Sequence, residues 1–280
     1  MKFISIAAIA LAAARLPAQT APADSAKAAS IQDNSFIVEE AYNQEAGIVQ
    51  HISGLSFDRA SKSYEYDFTQ EWPAGGITHQ LSYTLPLVHT GSPQHTTGIG
   101  DVLLNYRYQA VGNGRAKVAL SPRLTLALPT GSWRNGAGNG AAGVEAFLPA
   151  SVVLSNLLVT HWNAGVRYTP SARSESGDRA GVKKYILGGS GILLLHPNFN
   201  LMLETIWSRE DAVVGPHQIS AANSWTILPG ARGALNFKSG LQIVPGIGFP
   251  IGVGPSRGDR GVFLYLSFEH PFNAEGRAGK

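Results

Sequence analysis

Four histidines, His79, His161, His196 and His270, with scattered serines, carry what nucleophilic chemistry this sequence offers. A serine hydrolase needs a Ser and a His within hydrogen-bond reach, plus an amide or acid to orient the imidazole. Here the histidines fall in separate segments and no serine-rich catalytic segment accompanies them, so no catalytic residue is assigned. His270 falls on an apolar face, where an interfacial ring is the plain account. His89 and His95 share one polar stretch, VHTGSPQHTTG; a metal site is one reading of them, and loop histidines are the simpler one. With no cysteine there are no disulfides or thiolate metal sites. GIGDVLLN places glycines near a strand start, but no helix follows to cradle a phosphate. The sequence therefore names no metal and no cofactor.

The chemistry that remains is charge at alternate positions. In YEYDFTQEW (64–72), Tyr64, Tyr66, Phe68 and Trp72 share one face while Glu65, Asp67, Thr69 and Glu71 share the other. Period two is the mark of a β-strand with unlike faces. A soluble strand turns its apolar side to a core; a membrane barrel turns it to lipid and keeps acids in a wet interior. The same pattern recurs in ITHQLSYTLPL, GIGDVLLNYRYQ, KVALSPRLTLALP, VTHWNAGVRYT, FNLMLETIWS and GVFLYLSFEHPF, with weaker members between them. With a first strand near GIVQHISGLSF the count is about twelve, an even number as bacterial barrels require.

Connections separate the two readings. PAGGI, VGNGR, SNLL, HPN and ALNFKSG are short, and they alternate with VHTGSPQHTTG, PTGSWRNGAGNGAAG, PSARSESGDRAG, REDAVVGPHQI and GVGPSRGDRG. Short periplasmic turns and long outer loops are the habit of outer-membrane barrels, whereas a Greek-key sandwich has no reason to sort its loops. In that topology Trp72, Tyr106, Tyr108, Trp162, Phe199 and Phe272 fall near the periplasmic boundary, and Tyr64, Tyr168, Tyr185 and Trp207 near the outer one. Two aromatic girdles are expected of such barrels. Prolines 86, 122, 149, 229 and 245 lie inside expected strands, so bulges or strand ends must absorb them.

The expected fold is all-β, an antiparallel transmembrane barrel over 47–272. MKFISIAAIALAAARLPA (1–18) has the order of a secretory signal, with Lys2, an apolar run over 3–14 and small residues after it. Residues 19–34 read as a flexible linker and 273–280 as a C-terminal tail. The composition, 44% hydrophobic and 15% charged with 32 glycines, suits such a barrel. A net charge of +3 with scattered Lys and Arg argues against a nucleic-acid partner.

SFIVEEAYNQEAGIVQHISG, DFTQEWP, THQLSYTLP, GIGDVLLNYRYQ and PRLTLALPTG resemble the outer-membrane proteins of the meta-pathway of phenol degradation family, over nearly the whole mature chain. The resemblance implies a transporter-like barrel of the Gram-negative type, with no catalytic motif to carry over, and its family name suggests aromatic solutes.

On this reading Glu65, Asp67, Glu71, Asp101, Arg107, Arg123, Glu145, Arg167, Glu204 and Glu269 line the lumen. Arg107, Arg123 and Arg167 form a positive stretch of wall opposed by Glu65, Asp67 and Glu71. Such charges tune which solutes pass. Leu124→Arg is expected to be costly against lipid and Arg123→Leu nearly harmless. Residues 35–46 break the strand rhythm. Either Ser35 caps a short helix whose Glu39, Glu40 and Glu45 meet the lumenal arginines as a plug, or the segment is a periplasmic tail. The function expected is passive passage of small solutes, with outer-membrane lipid and the solute as partners and no chemical step. A closed barrel acting through its outer loops is the alternative, and a lipid hydrolase the weaker one.

Overall fold

The computed structural model describes residues 33–271 apart from 93–94, 115 and 238–240. The expected signal segment, linker residues 19–32, Phe272 and the C-terminal tail lie outside the described residues.

Twelve antiparallel strands close into a barrel. They are β1 (Ile48–Asp58), β2 (Tyr64–Pro73), β3 (His79–Thr90), β4 in two pieces (Thr96–Ile99 and Leu103–Tyr108), β5 in two pieces (Val118–Leu120 and Arg123–Ala127) and β6 (Gly143–Val153). β7 (Leu158–Arg173), β8 (Arg179–His196), β9 (Phe199–Gly215), β10 (Gln218–Gly233), β11 (Gln242–Gly248 and Ile251–Gly252) and β12 (Gly261–Pro271) complete the wall. Each strand pairs with its neighbours in sequence, and β12 returns to β1 in register from Ile48↔Pro271 to Asp58↔Gly261. Closure leaves no open edge within the bilayer, where unpaired backbone groups would find no water.

The alternation assigns the faces. Leu81, Leu85, Leu104, Tyr106, Leu124, Leu126, Trp162, Leu203 and Leu264 are exposed on the outside, while Thr69, Glu71, Ser82, Arg107, Arg123, Glu145 and Glu204 are buried inside. A wall with leucine and aromatic rings facing out and charge facing in is built for lipid. Girdle aromatics lie on that outer face. Trp72 meets Tyr83 edge-on, His79 Nδ1 lies 2.7 Å from the Tyr106 hydroxyl, and Trp207 pairs across the ladder with Trp225.

Three in-strand prolines, Pro86, Pro149 and Pro229, fall where a neighbour strand is interrupted. In an antiparallel ladder a residue's N–H and C=O point to the same side. The Pro86 carbonyl accepts from Gly100 N–H, so its missing donor faces the break between the two pieces of β4. Pro149 accepts from Ser121 N–H at the break in β5, and Pro229 from Phe249 N–H at the break in β11. Pro122 sits in the β5 break itself. At these four positions no ladder bond is left half-made.

Two expectations are corrected. REDAVVGPHQI and PSARSESGDRAG are not long irregular loops. β7 through β10 run 16, 18, 17 and 16 residues, so only residues 216–217 and 174–178 lie between paired strands. A membrane strand needs about 9–11 residues, so the remainder rises outward as a continuous sheet, in which the Gln218–Asn223 stretch of β10 is exposed. The ladder needs only pairing, not an apolar face, to continue beyond lipid.

The second correction concerns residues 35–46. They form no helix but run as irregular chain through the barrel interior, and residues 33 and 34, assigned to the linker, already lie there. Ser35 caps nothing; its Oγ bonds Ser190 Oγ at 2.6 Å. Successive N–H groups of the segment are taken by wall side chains, which removes the donors a helix would use.

Leu124 is 59% exposed on the outer face. Leu124→Arg should cost about 2–4 kcal/mol near the bilayer midplane, and Val118→Arg, nearer the strand end, about 0–1 kcal/mol. Unfolding in denaturant from lipid vesicles measures both; equal costs would displace the membrane band drawn here.

Candidate functional site in the barrel lumen

Residues 33–44 are almost wholly buried, and the wall meets them with a different chemistry on each side. Toward β8–β12 and β1 lies an apolar cluster, beside the buried charges Lys184, Glu204, Arg232 and Glu269. Phe36 and Ile37 pack into a cluster with Ile52, Ile192, Met202, Leu228, Val244, Phe263 and Tyr265. Phe36 lies 5.3 Å from the Phe263 ring and 5.5 Å from Tyr265. Toward β3–β7 the interior is polar and charged.

Wall side chains hold the segment by its backbone. Glu204 Oε1 accepts from Phe36 N–H at 2.5 Å, and Oε2 from Ile37 and Val38 N–H at 2.9 and 2.8 Å. Asn163 pairs with Glu39 as one amide pairs with another, accepting its N–H at 2.6 Å and donating to its carbonyl at 2.7 Å. Ser151 Oγ accepts from Ala41 N–H, Gln109 Oε1 from Asn43 and Gln80 Oε1 from Gln44. Arg107 donates to Asn43 Oδ1 and to the carbonyls of Glu40 and Tyr42.

The charges form a chain across the wall. Arg167 Nε lies 3.1 Å from Glu145, whose other oxygen is 2.7 Å from Arg123. Arg123 also bonds Glu39, and Arg107 lies 3.7 Å from Glu39 and 4.0 Å from Glu40. Three cations on the wall thus meet one wall acid, Glu145, and two acids of the segment. Of Glu65, Asp67 and Glu71, the acids expected opposite the arginines, Glu71 reaches Arg123 electrostatically, and Glu65 lies nearer Lys184 and Arg167. Lys184 itself bridges Glu210 at 2.9 Å.

The remaining sequence candidates are placed differently. Asp101 accepts from Gly131 and Asn139 N–H, so it pins the 131–139 loop against the inner wall. Glu269 lines a small cavity with Asn34, Gln50, Arg232 and Gln242, while half-buried Glu45 accepts from Ile48 N–H through its carbonyl where the segment joins β1.

The histidines meet partners the sequence did not announce. His161 Nδ1 lies 2.8 Å from Ser151 Oγ, and its Nε2 2.7 Å from the Asp33 carbonyl. A carbonyl only accepts, so Nε2 carries the proton and Nδ1 takes the Ser151 hydroxyl proton. With Ser151 also accepting from Ala41 N–H, this Ser–His pair fastens the segment rather than presenting a nucleophile to an open pocket. His270 stands on the outer face, with its Nε2 3.1 Å from that of His51. His89 stacks on Tyr64 and bonds Thr97.

Sequence reasoning missed Arg232, buried beneath Tyr265, and the amides Asn163, Gln80 and Gln109. The alternation Leu228–Gly230–Arg232 carries the signal for Arg232, but Pro229 obscured it.

No family model matches this sequence, and neither does any curated protein. Solved structures do. An outer-membrane channel from Pseudomonas putida F1 superimposes with a TM-score of 0.59 at 15% identity, covering 82% of this chain and 97% of that one. The NanC porin gives 0.52 at 11% identity, covering 79% and 98%. The chain is an outer-membrane β-barrel. At these identities the likeness establishes the fold, and the lumen must be read from its own residues.

The lumen geometry reverses the expectation that Arg123→Leu is harmless. Arg123 bridges Glu39 and Glu145 and lies over the Phe147 ring at 4.7 Å. Removing it strands buried carboxylates, at a cost of about 3–5 kcal/mol. Denaturant unfolding should show this loss, and much less for a double replacement by Arg123→Leu and Glu39→Leu. Additive single costs would remove the pairing from the account.

Proposed function

We propose that this barrel passes small solutes through the outer membrane without chemical change, and that residues 33–46 close it at rest. One observation carries the reading: among the described residues, a non-strand segment, residues 33–44, lies buried in the lumen and is held there by wall side chains. Small barrels of about eight strands close by interdigitating wall side chains. Here the inward positions are largely polar, and among the described residues the segment continues into the wall through Gly47 ahead of β1. Its withdrawal leaves the backbone pairing of the barrel intact and exposes a lumen lined by Arg107, Arg123, Arg167, Glu145 and Glu204.

The lumen requires no cofactor for this, and the Ser151–His161 pair is engaged in holding the segment. The sequence resemblance to the meta-pathway of phenol degradation family points to aromatic or hydrophobic solutes as cargo. The buried segment also favours a second reading, a permanently closed barrel whose outer sheet does the work.

Planar-bilayer recordings separate these. The full chain should conduct rarely, and deletion of residues 33–45 should give stable open steps. Neutralising Arg107, Arg123 and Arg167 in that deletion should shift selectivity toward cations, because an open lumen focuses the field of its wall charges. A correctly folded deletion variant without current would establish the closed barrel instead.

A further inference from the structure

We propose that the lumen volume held by residues 36–39 is a binding site for an amphiphilic carboxylate, a molecule with an apolar body and one carboxylate end. The segment occupies it as an internal stand-in. This deepens the channel reading and rests on it for its transport role, but the binding itself is separately measurable.

The apolar end is a shaped slot. The Phe36 ring lies against three inward glycines, Gly230 of β10 and Gly246 and Gly248 of β11, with Leu228, Phe263 and Tyr265 around it. A Cβ at Gly246 or Gly248 would stand 2.6 or 3.0 Å from the ring. The glycines occupy inward positions of adjacent strands, with Gly230 directly opposite Gly248. The wall thus omits side chains where the ring lies. Three residues further on, past bends at 36–38, the Glu39 carboxylate sits between Arg123 and Arg107. Phe36 and Glu39 therefore mark the two ends of the site, an apolar body and a carboxylate.

Electrostatics supplies the reason for an occupant. When the segment leaves, Arg123 loses its Glu39 partner and Arg107 loses Glu39 and Glu40 as acid neighbours. A carboxylate entering there remakes, inside a low-dielectric wall, the charge-assisted hydrogen bond that Glu39 makes with Arg123. Glu204, released from three N–H donors, is hydrated from the lumen. A ligand that binds only the vacated site draws the segment out by mass action. The same chemistry that closes the barrel then selects what opens it.

The chain has no cysteine, so Ala41→Cys, fully buried in the segment, places a single reporter. In full-length protein reconstituted in vesicles, millimolar octanoate should raise the rate of maleimide labelling at position 41 about tenfold, as a population shift of that size would. Acetate, octanamide and octylammonium should not. Adding Arg123→Gln should abolish the octanoate dependence. Phe36→Ala, which weakens the competitor while leaving the arginines, should make octanoate effective at about tenfold lower concentration. The Phe36→Ala gain keeps the test decisive if the Arg123 variant fails to fold.

Equal acceleration by octanamide or octylammonium would show nonspecific loosening and overturn the proposal, as would no response to octanoate in parent and Phe36→Ala alike. If labelling is insensitive to octanoate while the deletion variant conducts, the channel stands and this site falls. If octanoate competes while the deletion variant carries no current, the site stands and the channel reading falls.

Discussion

A backbone N–H in hydrocarbon has no water to turn to, and much of this structure follows from that shortage. It forces closure of β12 onto β1 and forbids an open edge within the bilayer. It also explains the placement of proline. Pro86, Pro149 and Pro229 each face a gap in the adjacent strand, so the missing donor coincides with a missing acceptor. The breaks in β4, β5 and β11 and the prolines beside them are one feature seen from two strands.

The interior obeys the same accounting with different partners. A wall that turns polar side chains inward must hydrate them or pair them. Residues 33–46 provide the pairing, and Asn163 and Gln109 are used in both directions. The segment gives N–H groups to Glu204, Asn163, Ser151, Gln80 and Gln109, and takes donors from Arg107, Asn163 and Gln109. Its Glu39 and Glu40 carboxylates join Glu145 beside the arginines of the wall. Buried ion pairs contribute little net stability against hydrophobic replacements, but breaking one partner is costly. Such contacts therefore suit a segment that is either wholly in place or wholly out.

The amphipathic lumen links this closure to what the barrel would carry. Apolar side chains gather on β1 and β8–β12, with Glu204 and Arg232 among them, and the linked arginine–carboxylate pairs lie on β4–β7. A segment with Phe36, Ile37 and Val38 followed by Glu39 and Glu40 matches both halves in one short run. The order of residues in the segment mirrors the order of chemistries around the wall.

The strands, their faces and the barrel were legible in the sequence because period-two alternation is local. Leu124 and Arg123 are neighbours whose opposite directions follow from the pleat alone. The candidates Arg107, Arg123, Glu145, Arg167 and Glu204 were legible as inward residues for the same reason. Which of them meet was not, because pairing across a lumen depends on register and curvature between distant strands. Arg123 and Glu145 stand on adjacent strands, but Arg123 and Glu39 are 84 residues apart, as are most contacts that seat the segment by over 60. The irregular path of residues 33–46 has no local periodicity at all. Glu39 and Glu40 near Ser35 read as a helix start, since local hydrogen bonding is what sequence shows. Sequence by itself determined a barrel wall with charge turned inward; only the tertiary structure decided that a non-repeating segment fills it, because its hydrogen-bond partners come from the wall and not from its own chain neighbours.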